Sequence, residues 1–124
     1  MAFSRTKAVE YIRATAKSTN SVDLKIQAKD FKKPDGYAIR YSGFKRGIFN
    51  PDAIMEYEGK KDFYSVEEDL ARADVSEKLY KWILFSMEAK KAKGKLVLIV
   101  PAGKEAEFNT MLDWKQIDAE VVGV

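Results

Sequence analysis

The chain has 124 residues, 46% of them apolar, with 22 basic and 19 acidic side chains and neither cysteine nor histidine. That length suits one core, and a single domain over residues 1–124 is expected. The missing residue types exclude disulfides, the usual zinc sites, cysteine nucleophiles and any histidine-based triad, so catalysis would have to rest on carboxylates, lysines, hydroxyls or an oxygen-held metal. The first residues, Met1 to Lys7, lack the apolar stretch of a signal peptide, and no apolar run approaches the roughly 18 residues of a membrane helix. A cytoplasmic protein without a membrane partner is therefore expected.

In chain order, Ser4 can cap a helix to about Lys17, in which Val9, Ile12 and Ala16 recur at helical spacing and Glu10 falls off the apolar stripe. Val22 to Ile26 alternates as a strand with Val22, Leu24 and Ile26 inward, Lys32 to Gly36 carries a Pro-Asp-Gly turn, and Tyr37 to Tyr41 resumes the alternation. Ser42 to Gly47 reads as a loop. Ile48 to Tyr57 and Asp62 to Glu67 read as two strands of a hairpin closed near Gly59. Asp74 or Ser76 caps a longer helix with Val75, Leu79, Trp82, Ile83 and Met87 along one stripe, ended by Gly94. Lys95 to Pro101 is a continuous apolar run, the mark of a strand buried on both faces and entering the sheet in parallel. A helix from Lys104 to about Gln116 then buries Phe108, Met111 and Leu112, and Ala119 to Val124 forms a last strand. A helix, two or three antiparallel strands, then helix, strand, helix and strand, roughly α-β-β-β-α-β-α-β, predicts an α/β fold built on a mixed sheet.

Charge is unevenly spread. Residues 1–48 carry 11 basic and 4 acidic side chains, whereas residues 52–80 carry 4 and 9. Within the acidic block, a loop of Gly59-Lys60, or of residues 58–61, makes paired positions sum to 119 and sets Asp52 opposite Glu67 on one face of the sheet. Two carboxylates so placed are how a protein holds magnesium, or manganese in its stead.

The Pro51-Asp52 pair, the turn, Glu67 and the following helix and buried strand resemble the PD-(D/E)xK nuclease superfamily, which includes restriction endonucleases and Holliday-junction resolvases. The resemblance is topological over most of the chain and reaches motif level only at residues 51 to 69. It implies a restriction-endonuclease-like mixed sheet, with Glu10, Asp52 and Glu67 organising the metal. It also implies a lysine two residues after the Glu, but that position holds Asp69. There, a cation would steady the charge that develops during phosphodiester hydrolysis. Asp69 is instead a candidate further ligand, and Lys78 or Lys81 on the following helix are the candidates for a displaced cation.

The function expected is magnesium-dependent DNA hydrolysis of the endonuclease or resolvase kind, with Asp52, Glu67, Lys78 and Lys81 catalytic. The alternative is a degenerate module of the same fold that binds DNA or a protein partner. DNA contact would fall to Lys32, Lys33, Lys45 and Arg46, and a homodimer is in keeping with the resemblance. A small α/β domain with a chance Pro-Asp is the plainest reading of all.

Overall fold

A computed structural model describes residues 5–19, 23–27, 31–34, 36–38, 48–68 and 75–124. Helix α1, Arg5–Ser18, forms where small and branched apolar residues recur every four positions: Ala8, Ile12 and Ala16 are buried and Glu10 is exposed. Strand β1, Asp23–Ile26, follows. Next come two short strands, β2 at Tyr37–Ala38 and β3 at Ile48–Phe49, which pair only with each other in a small antiparallel sheet. Strands β4, Ala53–Tyr57, and β5, Lys60–Val66, form the hairpin. Helix α2, Val75–Lys91, leads to β6, Leu96–Val100, and helix α3, Glu105–Trp114, leads to β7, Glu120–Gly123.

The main sheet is mixed, in the order β1-β4-β5-β6-β7. Strands β1, β4 and β5 run antiparallel, and β5, β6 and β7 run parallel. All five residues of β6 are buried, as a central strand covered on both faces must be. Its side chains divide by alternation. Leu96, Leu98 and Val100 join Phe63, Trp82, Phe85, Phe108 and Leu112 in the core under α2 and α3, whereas Val97 and Ile99 join Ile12, Ile26, Met55 and Tyr64 under α1. Among the described residues the protein is thus α/β, with three helices and a five-stranded mixed sheet.

Three expectations are corrected. The run Ile48 to Tyr57 is not one strand: it breaks at Asn50 to Asp52, because Pro51 has no N–H to offer the ladder. The hairpin loop is Glu58-Gly59, so paired positions sum to 117 and not 119, as in Ala53↔Tyr64 and Tyr57↔Lys60. Both loop residues have positive φ, 49° and 75°, which gives the primed turn that matches strand twist. Met87, expected on the buried stripe of α2, is 54% exposed, because the buried face runs through Leu79, Trp82, Phe85, Ser86 and Ala89. The expected positions Ser4, Val22, Tyr41 and Asp74 lie outside the described residues.

Candidate functional site

The carboxyl ends of the parallel strands β5 and β6 and the amino end of β4 meet at one end of the main sheet. Ligands of open α/β sheets bind outside the carboxyl ends of their strands. Both carboxylates of the hairpin are at this end. The slip of two in register moves Asp52 and Glu67 out of direct opposition, and their carboxylates reach different helices, Asp52 to Arg5 on α1 and Glu67 to Lys78, Lys81 and Trp82 on α2, which cover opposite faces of the sheet.

Asp52 stands just before β4 and is tied to both neighbouring strands. Its N–H donates to the Tyr64 carbonyl at 2.8 Å, and its carbonyl accepts from Gln27 at 2.8 Å. Its carboxylate then takes over from the backbone: Oδ2 accepts from the Val66 N–H at 2.7 Å. Oδ1 pairs with Arg5 Nη2 at 2.9 Å, and the same nitrogen donates to the Gln27 carbonyl at 3.0 Å. Arg5 therefore fastens α1 to this end of the sheet. With Asp52 21% and Arg5 46% exposed, the pair is bathed in solvent and worth at most about 1 kcal/mol.

Glu67 has a different setting. Its N–H makes the last β5–β6 bond, to the Ile99 carbonyl at 2.9 Å, and its side chain is only 3% exposed. The residues that receive it come from two elements. Ser65, two residues back and so on the same face, donates its hydroxyl to Oε2 at 2.7 Å. On α2, Lys78, Lys81 and Trp82 are spaced i, i+3, i+4 and share one helix face. Trp82 Nε1 donates to Oε2 at 3.0 Å, Lys81 Nζ lies 2.7 Å from Oε2, and Lys78 Nζ lies 3.1 Å from Oε1. Burial works to raise the Glu67 carboxyl, but the charge and hydrogen bond of Lys81, with the bonds from Ser65 and Trp82, outweigh it and hold the group below the usual carboxylate range. Glu67 is anionic at neutral pH.

A cleft of about 370 Å³ opens beside this cluster, lined by Phe49, Glu77, Lys78 and Lys81. No family model, no curated protein and no solved structure matches this chain. What the site can do therefore rests on its own chemistry.

The structure brings Lys78 and Lys81 to Glu67 and sets Asp52 beside Val66, the residue before Glu67. It does not draw Glu10 in, since no group of three or more acidic residues among those described is arranged to hold a metal ion. Asp69, Lys45 and Arg46 lie outside the described residues, and Lys32 and Lys33 are exposed. Sequence reasoning missed Arg5, Ser65 and Trp82. The Ser-x-Glu alternation and the 78, 81, 82 spacing carried a signal for two of them, but nothing local pointed to Arg5.

The oxygens divide into two kinds. Glu67 Oε2 is filled by three donors and Asp52 Oδ2 by a backbone N–H, so both are fixed. Glu67 Oε1 and Asp52 Oδ1 each face a basic side chain, Lys78 and Arg5, that stands as counter-charge where a cation would. Magnesium takes hard oxygens, keeps several waters and is commonly held by one or two carboxylates. Oε1 and Oδ1 are hard oxygens of that kind, each already paired with a basic side chain, one from α2 and one from α1.

Proposed function

We propose that this protein is a magnesium- or manganese-dependent DNA phosphodiesterase of the endonuclease or resolvase kind, on a restriction-endonuclease-like fold. Asp52 and Glu67 are the metal-holding carboxylates, and Lys78 and Lys81 supply the cation that the nuclease pattern carries two residues after its Glu. The observation that supports this most is the approach of both lysines to a buried, ionised Glu67 at 3.1 and 2.7 Å.

Each residue then has a definable task. Lys81 and Trp82 keep Glu67 charged and oriented, and the Val66 N–H holds Asp52 with Oδ1 turned toward Arg5. An ammonium group has three donors, so Lys81, bound once to Glu67, has others to offer a phosphate oxygen as its charge grows. A bound metal would polarise the phosphate and lower the pKa of the attacking water. Lys32 and Lys33, both exposed, would meet the DNA backbone, and a homodimer is the assembly the nuclease resemblance implies.

The second reading, a module of the same fold that binds DNA or a protein without cutting, draws on a different observation. Every carboxylate oxygen of Asp52 and Glu67 already has a partner within the protein. Incubating plasmid, flap and junction DNA with magnesium or manganese separates the two. Cleavage is expected, falling about a hundredfold or more in Asp52→Ala, Glu67→Gln and Lys81→Met. Cutting by Asp52→Ala at the wild-type rate would sink the hydrolase proposal. Retained DNA binding with no cutting under either metal would leave the second reading.

A further inference from the structure

Between Phe49 and the two lysines, the cleft combines the ammonium groups of the hydrolysis proposal with an aromatic ring that the proposal does not use. Its volume, about 370 Å³, is at the small-ligand end of the pocket range, room for one nucleotide and far too little for a duplex. One wall is Lys78 and Lys81, whose side chains are 19% and 20% exposed, so their ammonium groups serve both Glu67 and the cleft. Phe49 lines it as well. This ring comes from β3, which belongs to the small sheet and not the main one, and it is partly buried against the core under α2 and α3.

We infer that this cleft is a subsite for one unpaired nucleotide of single-stranded DNA, its base stacked on Phe49 and its phosphate on Lys81 and Lys78. An aromatic face beside ammonium groups suits a polyanion whose bases are open to stacking. A duplex buries its base faces and offers only groove edges and phosphates, so Phe49 would have nothing to stack on. Glu77 also lines the cleft and repels phosphate, so the phosphate is left to the ammonium groups of Lys78 and Lys81 and the base to Phe49.

The inference rests on the proposal that this end of the sheet handles DNA, and it specifies the strand state. The test uses a fluorescein-labelled 20-nucleotide single strand and the matching duplex, with anisotropy read in EDTA so that binding is separated from cleavage. The single strand should bind at least tenfold more tightly than the duplex. Phe49→Leu, which keeps apolar bulk against the core, should weaken single-strand binding by about five- to a hundredfold, the worth of one stacked base, and leave duplex binding unchanged. Phe49→Trp should restore it. Equal affinity for both DNAs, or a Phe49→Leu variant that binds the single strand like wild type with its melting temperature intact, overturns the subsite. If Phe49→Leu still nicks duplex DNA while single-strand preference is absent, the subsite fails and hydrolysis stands. If Phe49-dependent single-strand binding occurs and no metal supports cutting, the subsite stands and hydrolysis fails.

Discussion

Asp62 and Glu67 lie five residues apart on and just beyond β5, both 3% exposed, yet the protein treats the two buried carboxylates in opposite ways. Asp62 is closed by the fold. Its Oδ1 accepts from the Lys95 N–H at 2.9 Å, and a Cβ on Gly94 would lie 2.8 Å from that oxygen and closer still to the Lys61 carbonyl. The Tyr57 hydroxyl is held above its usual range, first by burial and then by Asp62 itself. Glu67 is met by side chains, two of them lysines at the mouth of a cleft. Equal burial thus separates into a carboxylate that accepts from a backbone N–H and one that accepts from side chains beside a cleft.

Mutations can break this contrast. The largest loss is expected from Glu67→Ala, about 3 to 5 kcal/mol in urea unfolding, because it leaves two partly buried ammonium groups and the Trp82 N–H without their acceptor. The same carboxylate makes a pH prediction. Its folded pKa is depressed, so its contribution is complete above the unfolded value of about 4.3 and is lost as pH falls through the folded value. Wild type should therefore lose stability below about pH 4 more steeply than Glu67→Gln, and parallel curves would contradict a charged Glu67.

Gly94→Ala comes next, about 2 to 3 kcal/mol by thermal or urea melting, since the new methyl meets backbone that cannot move aside cheaply. This loss should come with the proposed DNA binding and cleavage intact, which would mark the Asp62 end as structural. Trp82→Phe shrinks a fully buried side chain and removes one donor to Oε2, for about 2 kcal/mol. The smallest effect belongs to Lys95→Ala. Its pair with Glu120 at 2.8 Å is more than half exposed at both ends, so a change below about 0.5 kcal/mol is expected, and a larger one would show that Lys95 matters to Asp62 through more than its backbone N–H.

How far the site was legible follows from which of its contacts are local. The lysines were within reach because 78 and 81 share a helix face with Trp82 and the helix follows the hairpin directly. Arg5 was not, as its contact with Asp52 spans 47 positions and depends on how α1 crosses the sheet. The hairpin register was misplaced by two because a glycine suggested the first loop position, whereas the turn places Glu58 there at positive φ, a conformation an acidic residue seldom adopts.

By itself, the sequence determined the α/β class, the central buried strand at Leu96–Val100 and the exclusion of histidine and cysteine chemistry, all consequences of composition and short-range periodicity. Only the tertiary structure decided that Asp52 would be fastened by Arg5, and that Glu67 would be buried among Ser65, Lys78, Lys81 and Trp82 at the edge of a cleft. Periodicity says which side of an element is apolar; which polar groups meet depends on how helices and strands from distant parts of the chain cross at one end of the sheet.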